Sequence, residues 1–376
     1  MSAAPMLSVI VPVHNGRDVF SRCLTALAAS DLPREFWELV VVDDASRDDS
    51  VDRAVSVADT IARLGPRPAG PSYARNRGAE VARGEVLVFI DADVCVHPDT
   101  LRRFAWAFAE DPTLTAAFGS YDDRPAAAGF VSQYRNLLHH YVHQQNGGPA
   151  ETFWAGCGAV RRDAFADVGM YDEWRFSRPQ VEDIELGHRL RDQGYRIELK
   201  PEIQGTHLKR WTFRGMISAD LKDRGVPWSR ILLERDQSSK GGQALNLKLK
   251  EKVFTALAFA GLLPLVLALI WRDPRWLLLS VALALVVLVG NVPLYRFFLR
   301  ARGLLFTLGV LPLHLLYYIL NGCSVLVAVA LFQTVGDPKP SASVQAFAER
   351  NVVKWPPVPK RADAAARQRP KREKTP

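Results

Sequence analysis

Asp91 and Asp93, one residue apart, follow the apolar run Val86–Ile90. A strand that delivers two carboxylates to its C-terminal tip offers hard oxygen ligands to a divalent cation, and Mg²⁺ usually shares its shell with substrate phosphates. The spacing alone fits a solvated turn as well. Asp43-Asp44 closes a second apolar run at 39–42. A carboxylate there accepts hydrogen bonds from a nucleobase or a ribose hydroxyl, or caps the next helix. Gly70-Pro71-Ser72 with Arg75 opens a helical segment. Its exposed N–H groups and fixed positive charge suit a nucleotide diphosphate, or simply a capped surface helix. Glu182-Asp183 precedes a helical run at 184–193 and is either an acidic helix start or a general base for a hydroxyl. His207, Arg210 and Trp211 combine an imidazole able to complete a metal shell, a guanidinium able to clamp phosphate and a flat indole face. Arg and Trp are also common at membrane interfaces.

These groups need a scaffold that brings strand tips together. Strand-like runs at 7–13, 39–42 and 86–90 alternate with helical patterns at 19–28, 52–63, 72–83 and 100–110. Such alternation predicts an α/β fold with a mostly parallel sheet covered on both faces. Ligands on these sheets bind at the C-terminal strand ends. Those ends carry Pro12, His14, Asp43, Asp44, Asp91 and Asp93. No G-x-G-x-x-G follows the first strand, which argues against a dinucleotide-dependent dehydrogenase.

The composition changes at residue 253. Three uncharged runs, 253–270, 276–295 and 304–335, reach roughly 27, 30 and 45 Å as helices, against a hydrocarbon core of about 30 Å. Two connections rich in Arg, 271–276 and 296–302, read as short interfacial loops. The third run either crosses once or bends near Asn321-Gly322 and returns. Residues 213–236 show two short amphipathic patterns separated by Gly225 and Pro227. They suit helices in the membrane interface or ordinary helices packed on the soluble part. Residues 238–243 read as a flexible linker.

Of 376 residues, 48 are Lys or Arg and 40 are Asp or Glu, for a net charge of +8. The basic excess includes the tail after Gly336, which lacks the aromatic-basic interleaving of a nucleic-acid arm. No nucleic acid polymer is expected as a partner. The four cysteines are widely spaced, without a C-x-x-C pair, which argues against a zinc or disulfide framework. No signal peptide is expected from the first residues.

In combination, residues 7–211 resemble the family 2 inverting glycosyltransferases of the GT-A fold. The matching segments are Ser8 to Asn15, Val41 to Ser46, Ala74 to Gly78, Phe89 to Asp93, Trp154 to Gly158, Arg161-Arg162 and Glu182-Asp183. The resemblance implies a Rossmann-like mixed sheet that binds a nucleotide-diphosphate sugar, UDP- or GDP-linked. Pro12, His14 and Asp44 would border the nucleoside, Arg75 would approach the nucleotide, and Asp91 would touch ribose or sugar. Asp93 would bind Mg²⁺ or Mn²⁺, with His207 a further ligand. Asp183 would be the catalytic base with Glu182 beside it, and Arg210 would stabilise the leaving diphosphate. Trp154, Gly156 and Trp211 would border the acceptor. The segment from His207 resembles the Q-x-x-R-W motif of processive members, with His in place of Gln.

The resulting expectation is a GT-A catalytic domain over 1–212, amphipathic interfacial helices and linker over 213–250, about three transmembrane helices over 251–336 and a basic disordered tail over 337–376. The protein would lie in the cell inner membrane with its catalytic domain cytoplasmic, acting on a lipid or cell-envelope glycan. A polyprenyl-phosphate sugar synthase shares the same domain, but an ionised phosphate acceptor needs no base, so Glu182-Asp183 favours a hydroxyl. A catalytically inactive membrane scaffold would be expected to lose the carboxylates that this chain keeps.

Overall fold

The computed structural model describes residues 4–237 and 249–336. The linker at 238–243 and the tail at 337–376 lie outside the described residues. The strands are β1 (Leu7–Val13), β2 (Trp37–Asp43), β3 (Thr60–Arg63), β4 (Val86–Ile90), β5 (Val94–Val96), β6 (Leu114–Tyr121), β7 (Gly148–Pro149), β8 (Cys157–Arg161) and β9 (Arg196–His207). They form one mixed sheet in the order β3-β2-β1-β4-β8-β6-β9-β5, with β7 paired to β9. β1 to β4 are mutually parallel where they pair, while β8 runs antiparallel to both β4 and β6.

The helices of the sheet domain are α1 (Arg17–Ala28), α2 (Ser50–Ala54), α3 (Pro71–Val81), α4 (Thr100–Glu110), α5 (Phe130–Gln144), α6 (Arg162–Asp167) and α7 (Glu182–Asp192). Side chains alternate across a strand, so β1 feeds two cores. Val9, Val11 and Val13 pack with Phe20, Leu24 and Leu27 of α1 and Leu101, Phe104 and Phe108 of α4. Ile10 packs on the other face with α3, α6 and α7. β1, β2 and β4 are buried almost throughout because both faces are covered, which is why they read as unbroken apolar runs. Neighbours β2 and β4 flank β1 on opposite sides, and the crevice at such a switch point gathers the strand tips.

One expectation fails in this domain. Residues 52–63 do not form a helix: α2 ends at Ala54, and Thr60–Arg63 pairs with β2 as an edge strand. The open hydrogen-bonding edge of β2 outweighs the local helical pattern.

The remaining helices are α8 (Phe213–Ser218), α9 (Val226–Gln237), α10 (Leu249–Ala260), α11 (Leu262–Trp271), α12 (Pro274–Gly290), α13 (Val292–Arg302) and α14 (Leu304–Thr334). α8 does not break at Gly225. It continues through a π-helical stretch, Ala219–Gly225, directly into α9. Pro227, which has no N–H to donate, lies just after the junction of the π-helical stretch with α9. Gly225 is needed for packing, because a Cβ there would meet Ser324 Oγ of α14 at 2.1 Å.

Leu249–Trp271 and Leu304–Thr334 are long and apolar enough to cross a membrane, and α12 with α13 makes a third if the bent pair is one span. Residues 276–295, expected as one span, divide at Asn291, where the axes turn by 67°. Residues 296–302, expected as a loop, belong to α13. Packing explains the turn: Leu294, Tyr295 and Phe298 are buried against Tyr134 and Leu137 of α5. α14 is one continuous helix with Pro312 inside it, and it does not fold back at Asn321-Gly322.

Candidate active site

At the tip of β2, the Asp44 carboxylate accepts from the N–H of Ala69 and of Gly70, both at 2.8 Å. It thereby holds the loop that enters α3. Gly70 has φ +97° and lies against the Ser177 carbonyl, 2.2 Å from where a Cβ would stand, so only glycine fits. His14 Nδ1 lies 2.7 Å from the Asp44 carbonyl oxygen, and Pro12 is half-buried on the same rim. Beyond them an open cleft of about 380 Å³ is lined by Asp43, Ser46, Arg47, Arg63 and Gly65.

Arg75 does not face an open position. Its guanidinium donates to Glu182 Oε1 at 2.9 Å and to Asp91 Oδ1 at 2.7 Å, above the Tyr171 ring at 5.5 Å. It forms a clamp that fixes one carboxylate at the β4 tip and another at the start of α7. Glu182 also accepts from the Gln180 N–H at 2.8 Å. Both of its oxygens are occupied, and its side chain is 6% exposed. Removing one partner of a buried ion pair leaves the other charge uncompensated. Arg75→Met is expected to lower unfolding stability by about 3–5 kcal/mol. Denaturant midpoints of the solubilised protein check this, and adding Glu182→Gln should recover part of the loss.

Asp93 and His207 meet at the far side of Asp91. Asp93 Oδ2 lies 3.4 Å from His207 Nε2. His207 Nδ1 is 2.6 Å from Asn136 Oδ1, and the ring stacks on Tyr121 at 4.2 Å. The Asn136 contact at Nδ1 fixes the ring so that Nε2 faces Asp93. Second partners of this kind orient metal-binding imidazoles. Burial pushes the Asp93 carboxyl up, but the His207 hydrogen bond and charge, with Lys209, hold it below the usual range. Among the described residues no group of three His, Cys, Asp or Glu could enclose a metal. A carboxylate and one imidazole nevertheless suit a divalent ion whose remaining ligands are water and substrate phosphate.

Asp183 is held differently from Glu182. Its Oδ2 accepts from the Ala155 N–H at 3.1 Å, and its Oδ1 accepts from Ile184 N–H at 2.8 Å. Burial, reinforced by the Glu182 charge, pushes its carboxyl up to about 7. The contact with Ala155 places it on the 154–158 loop. Glycines let that loop close. A Cβ on Gly156 would stand 2.4 Å from the Trp154 ring, and one on Gly158 would stand 2.3 Å from the Trp154 carbonyl oxygen. Trp154 packs edge-on against Tyr121 at 4.8 Å. Trp211 is anchored through Ser132 Oγ, which accepts its N–H at 2.8 Å.

The fold thus joins Arg75, Asp91, Asp93, Glu182, Asp183, His207 and the Trp154 loop, with Pro12, His14 and Asp44 on adjacent strand tips. Arg210 is not joined to them: it is exposed, and among the described residues no hydrogen bond or ion pair holds it. Sequence reading missed Tyr121, Asn136 and His139. The last two lie on α5, where Ser132, Asn136, His139 and His143 recur at helical spacing and face the end of the sheet. That polar stripe was the available signal.

Residues 8–169 match the family model described as Glycosyl transferase family 2. The glycosyltransferase AglE of Haloferax volcanii is 27% identical over 214 residues, 55% of this chain and 68% of that protein. The poly(ribitol-phosphate) beta-glucosyltransferase of Bacillus spizizenii is 32% identical over 107 residues, 26% of this chain but only 16% of that protein. The validoxylamine A glucosyltransferase of Streptomyces hygroscopicus subsp. jinggangensis is 29% identical over 238 residues, 54% of this chain and 56% of that protein. The chain therefore spans well under two thirds of the latter two relatives. Among solved structures, the mannosyltransferase PcManGT from Pyrobaculum calidifontis, in complex with GDP-Man and Mn²⁺, superposes with a TM-score of 0.52 at 20% identity, covering 89% of each chain. The mixed sheet, the carboxylates gathered at its strand tips and the family match converge: residues 8–169 are a glycosyl transferase family 2 domain, built on the GT-A fold.

Proposed function

We propose that the protein is a membrane-bound, metal-dependent, inverting glycosyltransferase that moves a sugar from a nucleotide-diphosphate sugar to a hydroxyl on a lipid or cell-envelope glycan precursor. The observation that carries this reading is the division of labour between two adjacent carboxylates. Glu182 is tied up by Arg75, while Asp183 is held by backbone N–H groups on the loop beside Trp154. A base poised near neutral pH is what an unactivated hydroxyl needs. Asp183 takes the acceptor proton as the acceptor oxygen bonds to the anomeric carbon. The bond from that carbon to the phosphate oxygen breaks on the opposite face, and the nucleoside diphosphate leaves with the electron pair. Asp93 and His207 would hold Mg²⁺ or Mn²⁺, which would supply the positive charge that a diphosphate leaving group requires. The GDP-Man and Mn²⁺ bound to the fold neighbour agree with such a donor and metal. Apolar helices after residue 249 support a membrane anchor, and the reading puts the catalytic domain on the cytoplasmic side of the inner membrane.

Hydrolysis of a panel of UDP- and GDP-sugars, with membrane lipid extract as acceptor and mass spectrometry of products, tests the reading. One nucleotide sugar should yield nucleoside diphosphate and a glycosylated lipid of inverted anomeric configuration. Release from no donor in the presence of either metal would exclude it. The pH profile gives a second check. Activity needs ionised Asp183, so kcat/KM should rise through about pH 7. Glu182→Gln removes the charge that helps raise Asp183, and the inflection should move to lower pH.

A further inference from the structure

Three cations converge on one indole at the edge of the site. Lys209 Nζ lies 4.5 Å from the centroid of the Trp211 ring, the Arg224 guanidinium 5.7 Å and the Arg135 guanidinium 5.9 Å. One of the three is neutralised: Arg135 pairs with the buried carboxylate of Asp220. Lys209 and Arg224 have no ion-pair partner among the described residues, although Arg224 is half-buried. The polar atoms around them are also unspent. Trp211 Nε1 and His139 Nε2 are buried without hydrogen-bond partners. Buried donors without acceptors are costly and call for an occupant.

Arg224 sits in the π-helical stretch Ala219–Gly225, a helix form that is rare and recurs at functional positions. The following residue, Gly225, is pressed against Ser324 of α14, so Arg224 stands where the catalytic domain joins the apolar helices. It is close enough to the chemistry that the charge of Asp183 acts on it. Burial and the neighbouring Arg135 push its pKa down, and the charges of Asp220 and Asp183 offset them only in part.

We propose that Trp211, Lys209 and Arg224 form a phosphate-binding site for the acceptor, a phosphorylated lipid that also bears the hydroxyl presented to Asp183. This rests on the transferase reading above. The same chemistry could hold the donor's diphosphate. The position favours the acceptor, because Asp44 and the α3 entry lie at the β2 tip, whereas Arg224 lies against α14. An amphiphile entering along the apolar helices carries its headgroup phosphate to this level first. Neutral Trp211 Nε1–H and the two cations supply donors to phosphate oxygens, as charge-assisted hydrogen bonds.

The test is calorimetry on the full chain in neutral detergent, with a C15 prenyl monophosphate and the C15 prenyl alcohol as probes. Wild-type protein should bind the phosphate at least about 10-fold more tightly than the alcohol, a difference of about 1.4 kcal/mol. Arg224→Gln should erase that discrimination, and Arg224→Lys, which keeps the charge, should retain part of it. Equal binding of both probes by the wild type overturns the proposal without any variant. Titration with GDP and UDP in the presence of Mn²⁺ separates the sources: a loss in Arg224→Gln that falls on the nucleotide rather than on prenyl phosphate also overturns it. Nucleotide-sugar hydrolysis by the same preparation reports on the transferase reading independently.

Discussion

Asp183→Asn is expected to lower kcat by about 10²–10⁴-fold, the usual contribution of a positioned general base, while the KM for the nucleotide sugar changes little. The substitution is nearly isosteric. It keeps an oxygen that can accept from Ala155 N–H, so the 154–158 loop should stay in place. It removes the capacity to take a proton and, of the two backbone hydrogen bonds, the one from Ile184 N–H. Steady-state kinetics with donor and acceptor varied separately resolve the two constants. A parallel loss in donor affinity would mean that the loop had moved. Near-normal turnover would place the base elsewhere, or make the nucleophile an already ionised phosphate. The rising limb of the pH profile near 7 should vanish in the variant, a readout that a structural defect would not produce.

Removing the metal ligand should cost as much or more. Asp93→Asn is expected to reduce turnover by about 10³-fold or more, equivalent to several kcal/mol of lost charge stabilisation. Chelator should do the same to the wild-type enzyme. Metal titration of residual activity makes the assignment specific: Asp93→Asn and His207→Ala should both require more Mn²⁺ for half-maximal rate. Asn136→Ala, which leaves His207 Nδ1 without its 2.6 Å partner, should shift metal affinity by about 10–100-fold without touching the ion. Full activity of wild-type protein in excess chelator would sink the metal role altogether.

What could be read from the chain and what could not divides along a physical line. β1 and β4 were legible because both faces are covered, so each is written as an unbroken apolar run. α4 was legible because Leu101, Phe104, Ala105 and Phe108 mark one face of a helix. The edge strand β3 was not, because its identity comes from pairing with β2 rather than from its own pattern. In the site, residue types were readable and partners were not. Asp91 and Glu182 stand out as carboxylates at element ends, yet the guanidinium that fixes Glu182 comes from 107 positions away. Asn136, which holds the His207 ring, is 71 positions from it. Arg224 gave no signal beyond one charge in an amphipathic segment. Its meaning depends on a π-helical turn and on Trp211, neither of which spacing reveals.

The contact between Gly225 and Ser324 has a mechanical side. α14 has 31 residues, a length of about 46 Å against a hydrocarbon core of about 30 Å. In the membrane arrangement proposed above it cannot stand upright with both ends in the acyl region, so its inclination follows the thickness of the bilayer. Ser324 lies two thirds of the way along that lever and bears directly on the turn that carries Arg224. Thinner or thicker membranes would therefore displace the Arg224 cation beside Trp211. Reconstituted into vesicles of stepped acyl-chain length, the protein should transfer sugar to lipid fastest at one thickness and more slowly on either side, whereas nucleotide-sugar hydrolysis should vary less.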